Sequence, residues 1–285
     1  MIAGRLLVLA LTAALATSGC GHSVETSHHS AELVVGSRPG IESTLLADVY
    51  TGALHSYGFP ARTEQAPDPL TKLDSGAFVV VPSLTGRVLQ VFQPGDAARS
   101  DAQVYKTMIG ALPEGIAAGD YATAAEDKPA LAVTDATSKS WGGSDLSALP
   151  RHCDGLVVGS IAGAPTPAAI GSCRLPDTRQ FNDDTTLFAA VKSGEVTAAW
   201  TTTADPNVSA DLVVLTDGNP ALVQAENVVP LYRRNALNDR QLLAVNEIAG
   251  VLDTAALVDM RRQVTAGANP QAVADAWLNE HPLGR

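Results

Sequence analysis

Short apolar segments that predict buried strands alternate with segments of helical periodicity along most of this chain. After the first strand, Leu45, Leu46, Val49 and Leu54 recur near the helical period, and Gly58 ends the predicted helix. Strands are expected at residues 32–35, 78–81, 131–133, 156–161, 197–202, 212–215 and 228–232. The alternation predicts an α/β fold with largely parallel sheets.

The alternation falls into two blocks, separated by a loop-rich region at residues 134–150 that contains Gly142 and Gly143. Three helices are predicted after residue 235, the last with Asn269 as N-cap and Pro270 at its first position. These helices have no strands of their own and are expected to cover the first block. The chain would then cross twice between two lobes.

The N-terminus resembles a bacterial lipoprotein signal. A short positive start precedes an apolar run at Leu6–Leu15, and Thr17-Ser18-Gly19-Cys20 follows. Residues 1–20 are interpreted as the signal peptide, with Cys20 lipidated, which predicts an extracytoplasmic chain anchored to the cell membrane. Thr17 stands where such signals usually carry leucine. The alternative is an ordinary secretory signal that leaves Cys20 as an incidental thiol. Residues 21–30 are interpreted as a polar tether.

Charge and cysteine content restrict the possible partners. The formal net charge of -11 argues against nucleic acid and against electrostatic adhesion to anionic lipid. No second apolar stretch reaches transmembrane length. Cys153 and Cys173 form an even pair in an exported domain, which predicts a disulfide that contributes about 3 kcal/mol. The alternative, a thiol nucleophile or metal ligand, lacks a Cys-x-x-Cys pair.

Sequence motifs for catalysis or metal binding are absent. The chain has no Gly-x-Ser-x-Gly elbow, P-loop or His-Glu-x-x-His motif. Asp183 and Asp184 are interpreted as helix caps rather than metal ligands. We therefore expect a protein that is not an enzyme and needs no cofactor or metal.

Several motifs, in order along the chain, resemble those of osmoprotectant-binding proteins, the glycine betaine, choline and carnitine receptors of ABC importers. Residues 36–42 (Gly-Ser-Arg-Pro-Gly-Ile-Glu) resemble the family's Gly-Ser-Lys-x-x-x-Glu, and residues 82–86 (Pro-Ser-Leu-Thr-Gly) stand where the family has Pro-Glu-Tyr-Thr-Gly. Further similarities lie at residues 126–133, 211–217, 226–230 and 269–278.

The resemblance implies a two-lobed periplasmic-binding-protein (type II) fold with a hinged cleft between the lobes. Residues 31–133 and 228–285 would form lobe I, and residues 134–227 lobe II. It also implies that the chain binds a small solute by closure of the lobes and delivers it to the permease subunits of an ABC importer. We expect it to act as a monomer.

The chain departs from the family at the tyrosine cage that holds a quaternary ammonium by cation–π attraction. Val81, Leu84 and Pro129 stand at three places where the family has tyrosine. Phe188 matches a further aromatic place, and Trp200 lies close to another. Because each lost ring weakens the cage, the resemblance fixes the class of protein more firmly than the solute.

The candidate site residues lie where strands end. Ser37 and Arg38 follow the first strand, where backbone N–H groups can bind an anionic group, although a surface loop would look the same. Thr85 is a ligand contact or a helix cap, and Trp200 is a cleft residue or a core residue. The predicted ligand-binding residues are Ser37, Arg38, Ser43, Val81, Leu84, Thr85, Asp127, Phe188, Trp200, Thr201 and Thr202.

Two other functions stay open at the level of the sequence. One is an exported hydrolase on a two-lobed scaffold, against which the missing nucleophile motif speaks. The other is an exported sensor or adhesion lipoprotein without a transport partner.

Overall fold

A computed structural model describes residues 32–164 and 166–284 of the chain. The predicted signal peptide, the lipidation site Cys20 and the tether at 21–30 lie outside the described residues. The strands are β1 (Leu33–Ser37), β2 (Ala61–Gln65), β3 (Val80–Leu84), β4 (Ile116–Ala118), β5 (Pro129–Thr134), β6 (Val158–Ile161), β7 (Ala169–Ile170), β8 (Cys173–Arg174), β9 (Arg179–Phe181), β10 (Ala198–Thr202), β11 (Leu212–Val214) and β12 (Val228–Arg233).

The helices flank these strands, and Leu146–Arg151 forms a 3₁₀ helix. The helices are α1 (Ile41–Ser56), α2 (Pro69–Ser75), α3 (Thr85–Phe92), α4 (Asp101–Ala111), α5 (Asp135–Trp141), α6 (Asp184–Ser193), α7 (Asp239–Val251), α8 (Thr254–Thr265) and α9 (Pro270–Glu280). The predicted α/β class is therefore confirmed.

Two five-stranded sheets define the two lobes. The first lobe has the strand order β2-β1-β3-β12-β4, and the second has the order β11-β5-β10-β6-β9. The predicted lobe boundary at residue 133 is corrected here, because β5 pairs with β10 and β11 in the second sheet. The two crossing segments lie side by side: Asp127 N donates to the Glu226 carbonyl, and Val228 N donates to the Ala125 carbonyl.

The expectation of largely parallel sheets is wrong, because both sheets are mixed. β1 pairs with β2 and β3 in parallel, whereas β12 runs antiparallel to β3 and β4. In the second sheet, β5 runs antiparallel to β10 and β11. The reason is topological. β5 and β12 begin at the crossing segments, beside the ends of their neighbours β10 and β3, and therefore run in the opposite direction to them.

Helix α1 is buried on nearly all sides along its middle, from Leu45 to Leu54. One side packs on the first sheet, and α7, α8 and α9 cover the other, with Val245, Leu257 and Trp277 in the shared core. Of the described helices, none is long and apolar enough to cross a membrane alone, and only α7 and α8, bent by 97° at their junction, reach that length and composition together.

The predicted disulfide is confirmed, since Cys153 and Cys173 are bonded, with 5.7 Å between their Cα atoms. Cys173 lies in the small hairpin β7–β8 and packs in the core of the second lobe. The region at 134–150 is not simply loop, because it holds α5 and the 3₁₀ helix. Thr134 and Asp145 cap these two short elements by accepting from backbone N–H groups.

Candidate ligand-binding cleft

A cleft of about 830 Å³ lies between the two lobes, next to the crossing segments. The first lobe contributes side chains near α3, notably Arg87, Gln90 and Arg99. The second lobe and the crossing segments supply the rest of the lining: Asp127, Pro129, Ile161, Ala164, Thr166, Pro167, Ala169, Asp184, Trp200, Thr201, Thr202, Asp205, Leu222, Val223, Gln224 and Glu226. Residues of both lobes therefore contact the same space.

The end of β10 forms the centre of the second-lobe wall. The strand pattern buries Trp200 to 6% exposure and brings Thr201 and Thr202 to the cleft. Trp200 is the only aromatic side chain among the described residues that line the cleft. Its buried Nε1 has no hydrogen-bond partner in the described part of the chain.

Asp184 and Asp205 lie beside β10 and are held by neutral groups. Asp205 accepts from Thr201 Oγ1 at 2.7 Å and from the backbone N of Asn207 at 2.8 Å. Asp184 accepts from Asn207 Nδ2 at 2.7 Å. Asn207 thus bridges the two carboxylates. Burial, followed by the charge of Asp205, raises the pKa of Asp184.

The first-lobe wall carries two arginines: Arg87 is paired within the protein, whereas Arg99 has no carboxylate partner among the described residues. Arg87 Nη1 lies 2.9 Å from Glu42 Oε1, and Arg87 Nη2 lies 3.7 Å from Asp127 Oδ2. Arg261, from α8, places Nη1 at 3.1 Å from the same Asp127 oxygen and 3.0 Å from the Ala204 carbonyl oxygen. Burial, followed by the nearby charge of Asp127, raises the pKa of Glu42. This ion-pair network links the first lobe to a crossing segment, and the hydrogen bond from Arg261 to Ala204 extends it to the residues after β10.

Glu226 joins α3 to the returning crossing segment. Its carboxylate accepts from the backbone N of Arg87 at 2.8 Å, and burial raises the pKa of Glu226 to about 7. Gly86 is required by this close approach, since a Cβ there would lie 2.6 Å from the Ala225 carbonyl oxygen. Thr85 is fully buried and exchanges backbone and hydroxyl hydrogen bonds with Asn227.

A second cavity, of about 560 Å³, adjoins the cleft on the first lobe, and Arg87 lines both. Four predicted site residues line this cavity rather than the cleft: Arg38, Ser43, Val81 and Leu84. Ser43 Oγ accepts from the backbone N of Arg38, so a side chain of α1 holds the loop between β1 and α1. The wall is otherwise largely apolar.

The predicted site residues thus divide into three groups. Asp127, Trp200, Thr201 and Thr202 line the cleft, and the four residues above line the adjoining cavity. Ser37, Thr85 and Phe188 are buried and line neither of these cavities. Phe188 packs with Leu187 and Ala199 in the core, because it lies on the face of α6 that packs on the second sheet. This placement differs from the expected role of Phe188 as a ligand contact.

Several residues of the cleft were not predicted from the sequence. Arg87, Glu226 and Asp205 were not proposed, and Asp184 was interpreted only as a cap. The cap of α6 is in fact Asp183, which accepts from Thr186 N, and this leaves Asp184 free to line the cleft. The sequence offers one signal for Asp205, a carboxylate four residues after Thr201 at the end of a strand.

Comparison with solved structures shows the same fold. Apo YehZ from Escherichia coli is 19% identical, with a TM-score of 0.71 over 88% of this chain and 99% of that chain. A glycine betaine/carnitine/choline ABC transporter structure is 14% identical, with a TM-score of 0.72 over 87% and 98%. Lactococcal OpuAC, closed and complexed with glycine betaine, is 11% identical, with a TM-score of 0.52 over 88% and 96%. No curated protein matches the chain by sequence.

Two lobes on separate sheets, joined by paired crossing segments around a lined cleft, define a type II periplasmic binding protein. Residues 31–280 match the family described as the substrate binding domain of ABC-type glycine betaine transport system, and the chain belongs to this family. It is therefore a solute-binding protein of an ABC importer, as the resemblance predicted. Proteins of this class bind small solutes outside the cytoplasm and deliver them to permeases. These matches give no support to the hydrolase or to the sensor and adhesion hypotheses.

Proposed function

We propose that this protein is a monomeric receptor, lipid-anchored at Cys20, that binds a small cationic or zwitterionic solute in the interlobe cleft. The observation that carries the choice of solute is the second-lobe wall. Asp184 and Asp205 are held only by Thr201 and Asn207 among the described residues, next to the indole of Trp200. Two carboxylates without a cationic partner favour a positively charged ligand.

The family and its solved relatives point in the same direction. One matched structure is described as a choline binding protein in complex with choline, and lactococcal OpuAC is complexed with glycine betaine. In this chain a single cleft indole replaces a cage of rings, so cation–π attraction contributes about 0.5–2 kcal/mol rather than several such increments. The carboxylates would supply the remaining attraction.

Thermal unfolding in the presence of candidate solutes tests the solute class. Cationic and zwitterionic compounds should raise the melting temperature, while neutral sugars and simple carboxylates should not. A solute at about 100 times its Kd stabilises by about 2.7 kcal/mol, which is readily measured. If a neutral or anionic compound alone stabilises the protein, the proposed solute class is wrong.

Tryptophan fluorescence locates the solute. Binding should change the emission of Trp200, and this change should disappear in W200F. The matched control is W141F, because Trp141 lies in the same lobe and stacks on His152 rather than lining the cleft. If the change persists in W200F and disappears in W141F, the cleft is not the binding site.

The anchor and the oligomeric state have separate tests. Mass spectrometry of the membrane fraction should find lipid on Cys20, and C20S should release the protein from the membrane. Sedimentation should give the mass of one chain with and without solute. An unlipidated N-terminus in the membrane fraction would contradict the anchor and leave the solute proposal unaffected.

A further inference from the structure

The carboxylates of the cleft suggest which kind of nitrogen the solute carries. A quaternary ammonium is held by aromatic faces because it has no N–H to donate, whereas an ammonium or guanidinium with N–H groups forms charge-assisted hydrogen bonds with carboxylates. The described lining of the cleft has one aromatic ring, the guanidinium groups of Arg87 and Arg99, and four carboxylates, on Asp127, Asp184, Asp205 and Glu226. This lining offers hydrogen-bond acceptors rather than a cage.

Asp127 gives an independent sign of a missing donor. The residue is 2% exposed and lines the cleft, and its Oδ2 is paired with Arg261. Its buried Oδ1 has no hydrogen-bond partner in the described residues. A buried carboxylate oxygen without a hydrogen-bond donor lowers the stability of the protein. A ligand N–H that donates to this oxygen therefore gains more binding free energy than an N–H that replaces a water molecule at an exposed acceptor.

The three aspartates are connected by a chain of contacts that runs from the crossing segment to the second-lobe wall. Arg261 Nη1 touches both Asp127 and the carbonyl of Ala204, which precedes Asp205 in the chain. Asn207 then connects Asp205 to Asp184. Each aspartate keeps acceptor capacity, because a carboxylate has about four lone-pair sites and these contacts use only some of them.

We propose that the cleft selects organic cations that carry N–H groups, primary or secondary ammonium or guanidinium, over their fully N-methylated analogues, through Asp127, Asp184 and Asp205. This inference rests on the proposed function and specifies its solute class. Trimethylation would remove the N–H donors and place methyl groups against the carboxylate oxygens, which would be desolvated without hydrogen bonds.

Matched pairs of probes test the inference by isothermal titration calorimetry on the purified protein. The pairs are ethanolamine and choline, glycine and glycine betaine, and methylamine and tetramethylammonium. The N–H member of a pair should bind at least tenfold more tightly than its trimethyl analogue, a difference of about 1.4 kcal/mol. In D184N and D205N this preference should fall at least threefold.

The control variant is D135N, the same substitution on an exposed residue of the second lobe that pairs with Lys139. It should keep the wild-type preference. Melting curves of all three variants show whether they are folded. If D184N does not fold, D205N and the probe pairs on the wild type still decide the question.

The outcomes separate the inference from the function on which it rests. If choline, glycine betaine or tetramethylammonium binds as tightly as its N–H analogue, or more tightly, the inference is overturned and the cationic solute class stands. Failure of all six probes to bind overturns both. A preference that is unchanged in D184N and D205N overturns the assignment of these carboxylates.

Discussion

The two walls of the cleft satisfy their charges in opposite ways. On the first-lobe side, Glu42 and Asp127 each have the guanidinium groups of Arg87 and Arg261 within 4 Å. On the second-lobe side, Asp184 and Asp205 have only neutral donors among the described residues. The comparison indicates that most charges on the first-lobe side are used in ion pairs within the protein. The carboxylates of the second wall have no cationic partner among the described residues and can pair with a cationic ligand.

The largest expected effect comes from breaking the first wall at Arg261. R261M leaves Asp127 buried without its closest cation, so the free energy of unfolding should fall by about 3–5 kcal/mol. Chemical denaturation measures this. R262M is the matched control and should cost less than about 1 kcal/mol, because Arg262 is exposed and pairs only with Asp259 three residues before it.

A second variant checks the cause. If the loss arises from an unpaired Asp127, the double variant R261M/D127N should recover much of the stability, since residue 127 then carries no charge. A double variant as unstable as R261M would mean that Arg261 contributes through packing, and the contrast between the walls would weaken.

The disulfide is expected to stabilise the second wall. Several residues that line the cleft, from Ile161 to Ala169, lie between Cys153 and Cys173. The loop spans 20 residues, so C153A/C173A should lower the free energy of unfolding by about 3 kcal/mol. Hydrogen exchange should show the loss of protection in the second lobe. Equal loss in the first-lobe core around α1 would contradict this assignment.

Glu226, at the junction of the walls, should make stability depend on pH. Its pKa in the fold is about 7, above its ordinary value of 4.5, so the folded protein holds this proton more tightly than the unfolded chain. The contribution of Glu226 to stability is therefore complete below about pH 4.5 and is lost as pH rises to about 7. E226Q cannot ionise and still offers an oxygen to Arg87 N.

E226Q should therefore match the wild type near pH 4.5 and exceed its stability by about 1–3 kcal/mol at pH 8. Denaturation curves across this range measure the difference. E64Q, an exposed glutamate paired with Arg62, is the control and should show a difference below about 1 kcal/mol throughout. A wild type that gains stability from pH 5 to 8 relative to E226Q would show that the sign is wrong.

The smallest expected effect is that of Arg87. Its side chain is 55% exposed, so R87M should change stability by less than about 1 kcal/mol despite two ion pairs. Because Arg87 also lines the cleft, its removal should raise the affinity for a cationic probe by about twofold to fivefold. Calorimetry with the tightest probe tests this, and a fall in affinity would mean that Arg87 contacts the solute.

Local features of the fold were predictable from the sequence where a position, such as the start of a helix, favours a particular residue type. Asn269 and Pro270 predicted the start of α9, where Asn269 accepts from Ala272 N. The start of α7 was placed too early, at residue 235. Asn235 has a left-handed φ of 62°, and the helix begins after Asn238, which forms a capping box with Gln241. A polar, short helix such as α5 has no apolar period, so its pattern looked like a loop.

By itself, the sequence determined the α/β class, the disulfide pair, the family and a cleft with Asp127, Trp200, Thr201 and Thr202 in it. These follow from periodicity, residue type and the order of short motifs, which are properties of neighbouring residues. Only the tertiary structure decided that Asp127 is paired with Arg261 and that Asn207 bridges Asp184 and Asp205. The reason is physical: whether a charge is neutralised depends on distances between residues far apart in the chain, and these distances exist only after the lobes have packed.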